Sequence, residues 1–83
     1  MGIGVTLLYF AGVRDVTGRA EEAVALPAGA TLASAQAYVA ETYPVLAGTL
    51  DRVRLARNER FADDDEGLAA GDRVALIPPV SGG

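Results

Sequence analysis

The 83-residue chain has no cysteine and no histidine, and all seven of its basic residues are arginine. Each absence closes off a class of chemistry. Without cysteine there is no disulfide to staple a small domain, no thiolate to hold a metal and no thiol nucleophile. Without histidine the usual proton shuttle near neutral pH is missing. Without lysine there is no side-chain amine at which another protein could be joined, only the α-amino group. Long apolar runs are also missing: none approaches the roughly 20 residues that span a bilayer. The opening Met1-Gly2-Ile3-Gly4-Val5 lacks the basic flank of a signal peptide. A cytoplasmic, membrane-free protein is therefore expected.

What is present suits one small domain. Apolar residues make up 51% of the chain, enough for one core although a domain of this size buries only about 60% of its unfolded surface. Eleven acidic against seven basic residues give a net charge of −4. An acidic chain with no basic stripe is poorly suited to phosphate backbones, so nucleic acid is not an expected partner.

Strand and helix signals alternate clearly. Residues 3–10 carry β-branched and aromatic residues in succession and read as a strand. Residues 11–20, with Gly12, Asp15, Thr17 and Gly18, read as a loop with room for one helical turn. Residues 21–26, bounded by Pro27, read as a second strand in a hairpin with the first. Thr31 is placed to cap a helix whose stripe is Leu32, Ala35, Val39 and Tyr43, and Pro44 stops it. Residues 52–56 alternate as a half-buried strand, Asn58-Glu59 marks a turn, and Phe61-Ala62 forms a short edge strand. Asp63-Asp64-Asp65-Glu66-Gly67 is a polar turn. Gly71-Asp72 leads into a strand over residues 73–77, ended by Pro78-Pro79, which cannot donate to a ladder. Strands on both sides of one main helix predict an α+β fold, a mixed sheet with the helix on one face, and the ubiquitin-like β-grasp has this order.

The tail carries the chemical signal. Residues 1–79 are expected to form the domain and residues 80–83 a flexible Gly-Gly tail. Pro78 and Pro79 lift the chain out of the sheet in an extended form. Val80 and Ser81 offer small contacts, and Gly82 and Gly83 have no Cβ to obstruct passage through a narrow channel. Such a channel would deliver the carboxylate of Gly83. A carboxylate becomes an acyl donor once adenylated by ATP. Sulfur can then displace AMP to leave a thioester or a thiocarboxylate. The catalytic groups would belong to a partner, which suits a chain without cysteine or histidine. Two terminal glycines also fit an inert frayed end; the Pro-Pro after a buried strand favours function.

The chain resembles the MoaD-type sulfur carriers, the small-subunit family of molybdopterin synthase, over nearly its whole length. The likeness rests on Leu8-Tyr9-Phe10-Ala11, Val13-Arg14-Asp15, Thr17-Gly18, Ala56 and Asn58. It is densest at Leu68, Gly71-Asp72, Val74-Ala75 and the run from Ile77 through Pro78-Pro79-Val80-Ser81-Gly82-Gly83. Arg57 departs from the apolar residue the family pattern leads one to expect. The resemblance implies no complete active site on this chain and no permanently bound cofactor or metal. It implies instead an E1-like adenylating enzyme that uses ATP, and a persulfide donor that loads sulfur on Gly83. It further implies a large synthase subunit, in a heterotetramer of two small and two large subunits, that draws sulfur from this sulfurtransferase subunit to convert a cyclic pyranopterin phosphate in molybdenum cofactor biosynthesis. Related carriers serve thiazole synthesis or tRNA thiolation, and others act as ubiquitin-like protein modifiers, so these remain alternatives.

Strand phase completes the reading. With Val5, Leu7, Tyr9, Val74 and Leu76 facing the helix, Leu8, Phe10, Arg73, Ala75 and Ile77 face out. If the first and last strands are neighbours, Leu8, Phe10 and Ile77 share an exposed apolar face, which suggests docking. The resemblance points to Phe10, Phe61 and Ile77, with Pro78 and Pro79, as partner contacts. The acidic run at 63–66 lacks the spaced ligands of a calcium loop and reads as a solvated turn. Gly12 and Gly18 do not have phosphate-loop spacing. Arg52, Arg54 and Arg57 recur along one strand pattern and form either a solvated face or a contact for an acidic partner.

Overall fold

Alternation along the strands decides which side chains meet the helix. The structure is a computed structural model that describes residues 2–79. The chain runs β1 (Gly2–Tyr9), α1 (Ala11–Thr17), β2 (Glu21–Pro27), α2 (Leu32–Thr42), β3 (Arg54–Arg57), β4 (Arg60–Phe61) and β5 (Arg73–Ile77), with 3-10 turns at Pro44–Leu46 and Leu50–Arg52. The five strands form one mixed sheet in the order β2-β1-β5-β3-β4. β1 is antiparallel to β2 and parallel to β5, while β3 is antiparallel to both β5 and β4. This is the α+β, β-grasp arrangement expected from the element order. No helix among the described residues is long and apolar enough to cross a membrane. The tail residues Val80, Ser81, Gly82 and Gly83 lie outside the described residues, as does Met1.

One face of the sheet and one side of α2 make the core. Val5, Leu7 and Tyr9 of β1, Val24 and Leu26 of β2, and Val74 and Leu76 of β5 are buried against Leu32, Ala35 and Val39 of α2. This is the phase read from the alternation. Thr31 and Ser34 close the start of α2: the Thr31 N–H donates to Ser34 Oγ at 2.9 Å, and the Ser34 N–H donates to the Thr31 carbonyl at 2.9 Å. The Leu32 and Ala33 amides donate to the carbonyls of Glu66 (3.0 Å) and Asp64 (2.8 Å). The acidic turn thus satisfies helix donors through its backbone. The helix ends at Thr42, and Tyr43 leaves helical geometry ahead of Pro44.

Two segments differ from the sequence reading. Residues 11–20, read as a loop, contain the seven-residue helix α1. Val13 is its one buried residue, so no apolar stripe betrays it, and Gly12, Asp15 and Thr17 are weak helix formers. Gly18 ends α1 at φ 75°, its N–H bonded to the Arg14 carbonyl at 2.9 Å. The strand read over 52–56 begins only at Arg54, because Leu50–Arg52 forms a 3-10 turn. That turn sends Leu50 into the core, where it is 2% exposed, and Gln36 Nε2 donates to its carbonyl.

Candidate docking face and tail root

Strand register assembles an apolar surface on the side of the sheet away from α2. Leu8 pairs with Ala75, Ala75 with Ala56, and Ala56 with Phe61, so these four form a row across β1, β5, β3 and β4. Ala75, read as outward-facing, does lie on this side but is only 8% exposed, and Ala56 only 5%. Their small side chains are the floor of a shallow depression of about 190 Å³, walled by Leu8, Phe10, Phe61, Ile77, Arg73 and Glu59. Phe10 and Phe61 stand 44% and 57% exposed. Two phenylalanines left this open beside an apolar floor are costly in water, and such a patch marks a contact surface.

The root of the tail adjoins it. Parallel pairing of Tyr9 with Leu76 brings Phe10 and Ile77, the next residues along, to the same end of the sheet. Phe10, Ile77, Pro78 and Pro79 line a second depression of about 810 Å³ with Ala11, Gly12, Gly48, Thr49 and Arg52. Phe10 and Ile77 belong to both depressions, so the apolar face and the start of the tail form one continuous surface. The structure therefore gathers Phe10, Phe61, Ile77, Pro78 and Pro79. The threading residues and Gly83 lie outside the described residues.

Sequence reasoning missed the Ala56–Ala75 floor and a cation on Phe61. The Arg54 guanidinium lies 3.8 Å from the centroid of the Phe61 ring. The signal was available in the turn. Asn58 and Glu59 both have positive φ, 50° and 71°, the pattern of a two-residue type I′ hairpin. Such a turn pairs Arg57 with Arg60 and Ala56 with Phe61, which puts Arg54 on the diagonal from Phe61.

The three arginines grouped in the sequence part company. Arg52 sits in a 3-10 turn and Arg54 on the apolar face. Arg57 points the other way: Nε donates to Asp72 Oδ2 at 2.7 Å and Nη1 to Glu66 Oε2 at 3.4 Å. Asp72 also accepts from the Ala69 N–H (2.8 Å) and Asn58 Nδ2 (3.0 Å). These donors, the backbone amide first, hold its pKa down at about 2. Asn58 returns to β5 by accepting the Arg73 N–H at 2.9 Å. Arg57 thus fastens the β3–β4 hairpin to the loop before β5, which accounts for a cation where an apolar residue was expected.

A second polar cluster gathers around Glu22 of β2 and Tyr9, the last residue of β1. All three tyrosines of the chain donate to Glu22: Tyr9 to Oε1 at 2.8 Å, Tyr43 to Oε1 at 3.1 Å and Tyr38 to Oε2 at 3.0 Å. Arg19 lies 3.7 Å from Oε2. Burial pulls the Glu22 carboxyl upward, but these bonds outweigh it and leave the pKa lowered. Tyr9 is pushed well above the usual phenol range, by burial first and then by its bond to Glu22. Gly12 lies inside α1 and Gly18 at its end, so they frame a helix rather than a phosphate loop.

Fold, apolar face and tail root together define a class: the small ubiquitin-like β-grasp proteins. The ThiS family model matches residues 7–83, and the chain belongs to that family. The chain is 36% identical over 81 residues to the molybdopterin synthase sulfur carrier subunit of Chlamydomonas reinhardtii, covering 95% of this chain and 98% of that one. Among solved structures it is similar to small archaeal modifier protein 1 of Haloferax volcanii, with TM-score 0.87, 29% identity and coverage of 95% and 100%. It is also similar to a protein in the complex of subunits 1 and 2 of the molybdopterin-converting factor from Helicobacter pylori 26695, with TM-score 0.66, 26% identity and coverage of 98% and 100%. These matches bear out the resemblance to molybdopterin synthase sulfur carriers read from the sequence.

Proposed function

We propose that the chain is the sulfur carrier subunit of a molybdopterin synthase. The observation that carries this is the apolar face through Leu8, Phe10, Phe61 and Ile77, continuous with the root of a tail that ends in Gly82-Gly83. A docked partner on that face would take the tail into its own active site. The similar Helicobacter pylori protein, structurally described in a complex of the two subunits, supports a large-subunit partner.

In this reading an E1-like enzyme binds the same face and directs the Gly83 carboxylate to the α-phosphate of ATP. Pyrophosphate leaves and an acyl adenylate forms. The terminal sulfur of a persulfide donor attacks the acyl carbon and expels AMP; thiol cleavage of the resulting sulfur–sulfur bond leaves a thiocarboxylate on Gly83. The large subunit then uses that sulfur on a cyclic pyranopterin phosphate, in an assembly of two small and two large subunits. The carrier contributes a reactive terminus and a docking surface, and its partners supply the catalytic side chains, ATP site and sulfur donor.

Deleting Gly83 tests the assignment. Sulfur loading, read by intact mass, is expected to disappear while the urea midpoint stays at the wild-type value. A truncated, folded chain that still accepts sulfur would overturn it. The likeness to small archaeal modifier protein 1 favours one second reading, a modifier joined through Gly83 to amines of other proteins. Isopeptide-linked conjugates in extract would support it.

A further inference from the structure

The net charge is −4, yet three arginines, Arg52, Arg54 and Arg73, stand around the apolar face. Register sets Arg54 opposite Ile77 and Arg73 opposite Thr6, which places both arginines on the outer side of the sheet. Both are exposed, and among the described residues neither enters a salt bridge, whereas Arg19 and Arg57 do. Arg52, also exposed, lines the tail-root depression, where no described residue contributes a carboxylate. Glu59 is the one carboxylate among the described residues lining the smaller depression. Asp51, Asp63, Asp64 and Asp65 line a further groove that shares Phe61 with the apolar face. Arg54 lines that groove too, so it stands on the boundary between the acidic groove and the apolar face, with no salt bridge to either side among the described residues.

Geometry gives Arg54 a particular use. Its guanidinium is held 3.8 Å from the Phe61 centroid. A guanidinium lying on an aromatic face is partly ordered in advance, and its in-plane N–H groups remain able to grip a carboxylate in two-point fashion. Phe61 itself belongs to the apolar wall. The cation and the anchor are therefore presented as one unit.

We propose that Arg54, with Arg73 and Arg52 around the same surface, selects a protein partner whose contact surface sets carboxylates around an apolar anchor. The inference rests on the docking-face reading above and adds the sign of the partner's rim. An acidic partner is repelled at a distance by the net charge, but screening confines fields to about 8 Å at physiological salt. Selection then falls to the local cations at contact. Rim charges act chiefly on association and its salt dependence, while the buried apolar anchor governs dissociation.

The test uses the purified large synthase subunit from the same organism, with association and dissociation followed at physiological and at high salt. The chains compared are wild type, the Arg54→Gln/Arg73→Gln double variant, Phe61→Ser and Phe10→Ser. Both arginine side chains are exposed, and the hydrogen bonds of Arg73 to Asn58 run through its backbone, so the double variant keeps the fold. Wild type is expected to associate more slowly as salt rises. The double variant should associate about tenfold more slowly at physiological salt, with a flattened dependence on further added salt and little change in dissociation. Phe61→Ser should instead dissociate faster. If the double variant matches wild type while Phe61→Ser weakens binding, the docking face stands and the cationic rim is wrong. If Phe61→Ser and Phe10→Ser both bind like wild type, the docking face fails and the rim with it.

Discussion

At the scale of single residues, two carboxylates hold together parts of the chain that are remote in sequence. Asp72 is 7% exposed and takes donors from Arg57, Asn58 and Ala69. Truncation to alanine strands those donors, and Asp72→Ala is expected to cost about 1–3 kcal/mol in urea unfolding. Its folded pKa, about 2, lies below the ordinary 3.8. Stabilisation by its charge is complete above 3.8 and fades as the pH falls through about 2. Wild type should therefore lose more stability across that window than Asp72→Asn, as seen in urea midpoints against pH. Glu22 does the same for three phenol groups. Glu22→Ala should lower stability by about 1–3 kcal/mol, since Tyr9, at 2% exposure, has lost its acceptor. A tyrosine absorbance titration should also show two phenols in the native wild type, Tyr9 and Tyr43, ionising above the usual range, and Glu22→Gln should bring both part of the way down, burial continuing to hold them up.

Elements were legible in proportion to their periodicity. β1, α2 and β5 announce themselves because Val5, Leu7 and Tyr9, then Leu32, Ala35 and Val39, then Val74 and Leu76 repeat at the spacing of their elements and are buried. α1 was not legible, because one buried residue in seven leaves no pattern. Its start is unusual in backbone terms as well: Ala11 has φ 47°, a region costly for a residue with a Cβ. The close is easier to test. Gly18 ends α1 at φ 75°, and a Cβ at this position would meet open space, so Gly18→Ala introduces backbone strain rather than a clash. It should destabilise by about 1 kcal/mol, read as a lower urea midpoint with an unchanged slope.

At the scale of the whole molecule, the sheet separates two tasks. One face, with α2, supplies the core. The other, through Leu8, Ala56, Phe61, Ala75 and Ile77, supplies the surface next to the tail. Alternation, with the first and last strands taken as neighbours, revealed Leu8, Phe10 and Ile77 on that surface. Phe61 required the family likeness, and Arg54 required the hairpin register, which a residue count along the chain does not display. The most direct test of the account is the intact mass of untagged protein before and after incubation with ATP, its adenylating partner and a persulfide donor, with a thiol alkylator added afterwards. Alkylation excludes oxidation of Met1, which gives nearly the same mass as exchange of oxygen for sulfur. The account predicts one such exchange per chain, trapped by the alkylator and confined to the peptide that ends in Gly83. An unchanged mass, with a known carrier loaded in parallel, would contradict it.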